Sequence, residues 1–147
     1  MKITPFISIV TVVYNGEKTI RKTIESVLCQ TFKDYEYIIV DGLSKDNTVS
    51  IVKEYEESFE GRLRIYSERD KGIYDAMNKG VKAAKGKIIG IVNSDDWLEP
   101  DALYIVNKVY LENKCNNDCL YCGGIRFIST ENKIIEKNFE LIKFEDG

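Results

Sequence analysis

Ile88-Ile-Gly-Ile-Val-Asn-Ser-Asp-Asp-Trp97 carries both an element and a chemistry. Residues 88–92 are apolar and β-branched apart from one Gly, which allows close packing, and they read as a buried strand. Asn93, Ser94, Asp95 and Asp96 follow where that strand should run out. Adjacent carboxylates repel each other, and burying them is costly without a positive partner. A divalent cation with oxygen ligands is the natural partner. The plainer alternative is a solvated loop whose Asp caps a helix starting at Pro100. The stretch alone leaves both open.

Upstream, strands and helices alternate. Ser8–Val13 is a strand of nearly all β-branched residues, broken by Tyr14-Asn15-Gly16. Residues 17–29 read as a helix with Ile20, Ile24, Val27 and Leu28 on one face. Tyr35–Val40 is a second strand ending at Asp41-Gly42, followed by a polar turn, Leu43–Asn47, of cap-type residues. Residues 48–59 are expected to be helical, with Val49, Val52 and Tyr55 inward. Leu63–Tyr66 is a short third strand, and Ser67–Gly72 is a charged loop. Residues 73–85 read as a helix facing the core with Ile73, Met77, Val81 and Ala84, with Gly86 as its C′ residue.

Downstream, Glu99-Pro100 opens a helix reaching about Glu112, with Pro at the tolerated first position and Ala102, Leu103, Ile105, Val106 and Val109 apolar. Residues 119–128 form a further strand region interrupted by Gly123-Gly124, and residues 131–147 show no clear pattern. The repeated alternation implies βαβ units, a mainly parallel sheet and right-handed crossovers, in one α/β domain over residues 1–147.

Composition narrows the function. With 147 residues, 44% hydrophobic and 31% charged, the chain suits a compact soluble domain rather than a disordered one. No run approaches the ~18 apolar residues of a membrane span. Residues 1–6 are too short for a signal peptide, so the expected location is cytoplasmic. A net charge of −3 offers no electrostatic case for nucleic acid. Histidine is absent, which excludes Ser-His-Asp and Cys-His catalysis and His-ligated zinc within this chain. Cys115, Cys119 and Cys122 have the C-x3-C-x2-C spacing of a radical S-adenosylmethionine cluster. That motif belongs early, in a loop before a large barrel. Here it stands late, in or beside a strand, so these and Cys29 are expected to be reduced structural cysteines.

Ligands of an open α/β sheet bind beyond the carboxyl ends of its strands. Tyr14 and Asn15 follow the first strand, Asp41 the second, Asp70 lies in the loop after the third, and Asn93, Asp95 and Asp96 follow the fourth. Each has a bland reading as rim packing, a turn residue or a loop charge. Their recurrence at successive strand ends is harder to dismiss. An acidic cleft favours a cation, and a cation held by about two carboxylates keeps positions for phosphate oxygens. A Tyr at the edge could stack on a base. A dinucleotide turn needs G-x-G-x-x-G, but Tyr14-Asn-Gly-Glu-Lys-Thr19 has one Gly, and no Walker loop is present. A response-regulator receiver would carry its acid pair after the first strand, not the fourth.

Ser8-Ile-Val-Thr-Val-Val-Tyr-Asn15, Ser26-Val-Leu-Cys-Gln-Thr-Phe32, Tyr37-Ile-Ile-Val-Asp-Gly42 and Asp46-Asn-Thr48 resemble the start of a family 2 glycosyltransferase with the GT-A fold. So do Ser67-Glu-Arg-Asp-Lys-Gly-Ile-Tyr-Asp-Ala-Met-Asn-Lys-Gly80, Ala84-Lys-Gly86 and Asn93-Ser-Asp-Asp-Trp97. The resemblance runs in order through residues 6–104 and is to the branch that builds bacterial surface polysaccharides. It implies a three-layer GT-A sandwich. It also implies transfer of a sugar, with inversion, from a nucleotide-diphosphate donor (usually UDP) to a hydroxyl of a glycan or lipid-linked acceptor. The work would be done in the cytoplasm or peripherally at the inner face of the cell membrane. By the same resemblance Val12, Tyr14 and Asp41 hold the nucleoside, and Asp70 and Asn93 belong to the donor site. Asp95 and Asp96 match the site for ribose and for the Mg2+ or Mn2+ that bridges the phosphates.

The chain departs from the family at three positions. Gly42 stands where many members have a second Asp, Met77 where many have Arg, and Asn93 where the first acid of Asp-x-Asp often stands. The family's general base lies further along than this chain extends. Asp118, Glu131 and Glu136 are available acids that nothing places at the donor, so no catalytic residue is assigned. The expectation is therefore a donor-binding part without the C-terminal acceptor-binding part. The alternative is a non-catalytic nucleotide-binding or assembly module that kept the fold. An exposed sheet edge and apolar surface would favour homo-oligomerisation.

Overall fold

The computed structural model describes residues 4–113 and, beyond them, 119–120, 125–128, 134–137 and 142–143, with side chains as far as residue 112. Four strands, β1 (Ile7–Val13), β2 (Tyr35–Asp41), β3 (Leu63–Ser67) and β4 (Ile88–Ile91), form one sheet in the order β3-β2-β1-β4. Every pairing in it is parallel. Parallel neighbours need long crossovers, and α1 (Ile20–Leu28), α2 (Thr48–Lys53) and α3 (Ile73–Ala83) supply them. The sheet grows from β1 toward β3 on one side, and β4 is then added on the other side of β1. The strand order therefore reverses between β1 and β4. Loops leaving neighbouring strands diverge at such a reversal and leave a crevice.

β1 and β2 are buried along their whole length, in register from Ile7 opposite Tyr35 to Val13 opposite Asp41. Alternate side chains serve opposite faces. On one face Val10, Val12, Ile38 and Val40 form a core with Ala76 of α3, and Met77, Ala83 and Ala84 pack against it. On the other, the Tyr35 hydroxyl donates to the Val27 carbonyl of α1 at 2.8 Å, and the Tyr37 ring lies 5.5 Å from that of Phe59.

A buried polar lock closes the amino end of the α3 face. Ser8 Oγ donates to Glu36 Oε1 at 2.6 Å, and the Lys85 amide donates to the same oxygen at 2.7 Å. Arg64 pairs with Glu36 Oε2 and donates to the Ala83 carbonyl at 2.8 Å. The end of α3 and the turn into β4 are thereby tied to β1, β2 and β3.

Several local expectations change in the folded chain. The run 88–92 is not a fully buried strand. β4 stops at Ile91 and is the outer strand of the sheet among the described residues, with Ile89 and Ile91 41% and 48% exposed. An apolar run reads alike at the centre and the edge of a sheet, because only the pairing decides which it becomes. Only half of the expected α3 stripe faces inward: Met77 and Ala84 pack against the core, but Ile73 and Val81 are 52% and 38% exposed, and the fully buried positions are Ala76 and Gly80. The helix lies so close to the sheet that a Cβ on Gly80 would meet Val10 Cγ1 at 2.2 Å, so small residues must face inward. Gly86 is not the C′ residue, because the C-cap is Ala84. Ala84 leaves the helix in an extended conformation, and Gly86 passes so near β1 that a Cβ would stand 2.6 Å from the Ser8 nitrogen.

Helix ends also shift. Residues 17–19 form a turn before α1, in which the Gly16 carbonyl accepts from Thr19 and Ile20. α2 ends at Lys53, and Thr48, Ile51 and Val52 face inward, with Val49 half-buried. α4 (Ala102–Asn113) begins after Pro100, whose carbonyl accepts from the Thr31 amide at 2.9 Å.

The chain divides into two compact units, Met1–Tyr104 and Ile105–Gly147. The second holds the rest of α4 and two antiparallel pairs, β5 (Cys119–Leu120) with β8 (Ile142–Lys143) and β6 (Ile125–Ile128) with β7 (Ile134–Lys137). Cys115, Cys122 and the Gly123-Gly124 interruption lie outside the described residues. Cys29 is a free, exposed thiol.

Candidate functional site

The carboxyl ends of β1, β2, β3 and β4 gather the residues singled out above. Val12 is buried, and its side chain belongs to the core on the α3 face. Tyr14, two residues on, is 59% exposed. Asp41 closes β2 without any exposure. Its carboxylate accepts from the Ser44 amide at 3.2 Å and from Ser67 Oγ at 2.6 Å, so it joins the loop after β2 to the end of β3. Those partners satisfy a charge that would otherwise be costly to bury.

Asp70 comes from the loop after β3 and meets the other two strand ends at Gly42. A Cβ on Gly42 would stand 2.5 Å from Asp70 Oδ2 and 3.5 Å from Tyr14 Cδ2. The missing side chain is thus what lets a carboxylate and an aromatic ring share this spot. Asp70 Oδ1 accepts from the Gly72 amide at 2.8 Å. Gly72 sits at φ 115°, ψ 176°, a region essentially closed to residues with a Cβ. Gly72→Ala is therefore expected to cost about 2 kcal/mol in urea unfolding, although open space surrounds the added methyl. A loss below about 0.5 kcal/mol, the scale of an ordinary surface change, would contradict this.

Two loops brace the rim. The Asn15 amide donates to Ser44 Oγ at 2.7 Å, the Gly16 amide to Thr48 Oγ1 at 2.8 Å and the Lys45 amide to Asn15 Oδ1 at 2.8 Å. The Glu17 amide reaches Asp46 Oδ2 at 3.1 Å, and Glu17 Oε2 accepts from the Asn47 amide at 3.0 Å. Burial pushes the Asp46 carboxyl upward, but the Thr48 hydroxyl and the Glu17 and Thr48 amides outweigh it and hold the group below its ordinary value. Asn15 and Leu43 both have left-handed backbone, φ 51° and 62°. These braces escaped the sequence reading, although Asp46-Asn-Thr48, a group of residues that bond neighbouring backbone, was the available signal.

The acid turn lies beside this rim. A Cβ on Gly16 would come within 3.8 Å of Ser94 Oγ, so the turn after β1 borders the turn after β4, at the reversal of strand order. Asn93 Nδ2 donates to Asp96 Oδ2 at 3.0 Å, and the Asp96 amide donates to the Asn93 carbonyl at 3.1 Å. Asp95 and Asp96 are both exposed. Lys22 Nζ sits 3.1 Å from the centroid of the Trp97 ring, a cation–π contact from α1 to the end of the turn.

The donor set fits a small hard cation. Two exposed carboxylates on consecutive residues, with the neutral Asn93 amide beside one of them, suit Mg2+ or Mn2+. Among the described residues no group of three His, Cys, Asp or Glu is placed to enclose a metal. Two carboxylates alone would leave most of the coordination shell to water and phosphate oxygens, the usual arrangement for Mg2+ with a phosphorylated substrate.

A parallel sheet crossed by helices, with acidic side chains beyond its strand ends at the reversal of strand order, defines an open α/β domain whose ligand edge lies there. Residues 8–145 match Glycosyl transferase family 2, and the chain belongs to that family. It is 41% identical over 139 residues to the Escherichia coli chondroitin synthase, covering 95% of this chain and 20% of that protein. It is 34% identical over 140 residues to the Pasteurella multocida hyaluronan synthase, covering 95% and 14%. The chain thus spans a fifth or less of either relative. Among solved structures it is similar to S. aureus TarS 1-349 in complex with UDP-GlcNAc, with TM-score 0.70 and 27% identity over 74% of this chain and 32% of that one. The GT-A fold expected from the sequence is the fold observed.

Proposed function

We propose that this chain binds a UDP-sugar at the carboxyl ends of β1, β2 and β4. It would belong to an enzyme that transfers the sugar, with inversion, to a hydroxyl of a glycan or lipid-linked acceptor. The observation that carries this reading is the exposed Asp95–Asp96 pair standing beside the β1 turn at the strand reversal. In it the exposed Tyr14 ring stacks on the base. Asp70 Oδ2, beside that ring, accepts from a base N–H or a ribose hydroxyl. Asp41 works from beneath by holding the loop that carries Ser44 to the end of β3 at Ser67. Asp95 takes the ribose and, with Asp96, holds Mg2+ or Mn2+. Asn93 contributes a neutral hydrogen-bonding group, and Val12 supports Tyr14 from the core. The bound ion supplies charge neutralisation for a departing diphosphate.

The UDP-GlcNAc bound to TarS supports the uridine donor, and the names of the two synthases support a polysaccharide acceptor. No helix among the described residues is long and apolar enough to cross a membrane. In this reading the domain works at the cytoplasmic face, where nucleotide sugars are supplied.

Trp97 is the chain's only tryptophan and adjoins Asp96, so its fluorescence reports on the acid turn. Titrating UDP in the presence of Mn2+ is expected to give a saturable change that excess chelator abolishes. A flat response, matched by no heat in calorimetry, would overturn the reading.

A further inference from the structure

Thr23, Ser26 and Gln30 lie at i, i+3 and i+7 along α1 and its exit turn, and so on one side of it. All three reach the backbone that follows β4. The Thr23 hydroxyl stands 2.7 Å from the Asp96 carbonyl oxygen and 3.0 Å from that of Ser94. Its single proton is thus shared between the two carbonyls that flank Asp95. Ser26 Oγ donates to the Thr23 carbonyl at 2.7 Å and accepts from the Leu98 amide at 3.1 Å. Gln30 Nε2 donates to the Glu99 carbonyl at 2.7 Å, and Gln30 Oε1 accepts from the Leu103 amide at 3.0 Å. Thr23 and Gln30 have no exposure.

Thr is a weak helix former, and a buried hydroxyl is costly unless paired. Position 23 lies among the buried Ile20, Ile24 and Val27. Valine would serve the helix there equally well, so what the hydroxyl adds is its bond to the acid turn. With the Ser94 and Asp96 carbonyls both turned toward α1, the Asp95 and Asp96 carboxylates stay exposed.

We propose that Thr23 is the positioning residue of the acid pair, clamping the peptide unit before Asp95 and the one after Asp96 so that both carboxylates are held ready for one cation. This rests on the reading of Asp95 and Asp96 as the metal ligands of the donor site. Ser26 and Gln30 anchor the chain that leaves the turn, and Thr23 sets the turn itself.

The test is calorimetric titration of UDP with and without Mn2+, which gives the factor by which the metal strengthens nucleotide binding. Thr23→Val should cut that factor by about tenfold to a hundredfold, as loss of a ligand-orienting partner does. Thr23→Ser should keep the full factor, and any fall in metal-free UDP affinity, to which Asp95 contributes at the ribose, should be smaller than the fall in the factor. General loosening of α1 would lower the unfolding midpoint and weaken metal-free and metal-dependent binding alike, so the metal factor isolates the clamp. Thr23→Ala replaces the Val variant if the latter does not fold. A full factor in a folded Val or Ala variant overturns the clamp and leaves the acid pair standing. Loss of the factor in Thr23→Ser overturns the clamp too. The absence of any metal factor in the wild type overturns the acid-pair reading, and the role of Thr23 with it.

Discussion

Asp96→Ala is expected to remove the metal-dependent part of UDP binding, a loss of about a hundredfold or more. The carboxylate is exposed, and among the described residues it accepts a hydrogen bond from Asn93 Nδ2 alone. Unfolding free energy should therefore change by less than about 0.5 kcal/mol, as for an ordinary surface substitution. Function and stability separate cleanly at this residue. Asp96→Asn is the sharper companion, because it keeps shape and an acceptor oxygen for Asn93 but removes the charge. Calorimetry with and without Mn2+ decides the matter. Metal-dependent affinity that survives both substitutions would move the cation away from this pair.

The largest loss of stability is expected from Glu36→Ala, about 3 kcal/mol in urea unfolding at neutral pH. Glu36 is 7% exposed and is the shared acceptor for Ser8, Lys85 and Arg64. Removing it takes the acceptor from the buried Ser8 hydroxyl, leaves the Lys85 amide only its longer 3.2 Å bond to Ser8 Oγ and leaves the Arg64 guanidinium without its charge partner, and unmet donors cost more than the bonds themselves contributed. Burial pushes the Glu36 carboxyl up, but the Ser8 hydroxyl, the Lys85 amide and the Arg64 guanidinium outweigh it, so its pKa lies below the ordinary 4.5. A depressed carboxylate adds stability that is fully present above the unfolded value and fades as pH falls through the folded one. The wild type should therefore lose this contribution below pH 4.5, while Glu36→Gln should start weaker at pH 7 and fall less steeply on the acid side. Parallel acid limbs for the two proteins would remove Glu36 as the cause.

Much of the site could be seen in the chain because it is a matter of strand ends. β-branched runs such as Ser8–Val13 set where strands stop, and Tyr14, Asp41, Asp95 and Asp96 stand at or just beyond those stops. Helix faces were less legible. A stripe at i and i+4 in α3 was consistent with Ile73, Met77 and Val81, yet the buried residues are Ala76 and Gly80. Side-chain size opposite the helix, at Val10, decided how near it could come and hence how it is turned.

Local order along the chain was enough for the kinds of elements, their succession and the carboxylates at their ends, because backbone preference and periodicity act over a few residues. Strand order was a different matter. Placing β4 beside β1, and so creating the reversal where the acid turn meets the Tyr14 turn, depends on pairing between segments far apart in sequence. The same holds for the Thr23 clamp, whose partners lie 71 and 73 residues away, and for Asp70, which reaches Tyr14 only across the gap left by Gly42. Such contacts are chosen by which surfaces fit when the whole sheet closes, and no short window of sequence contains both partners.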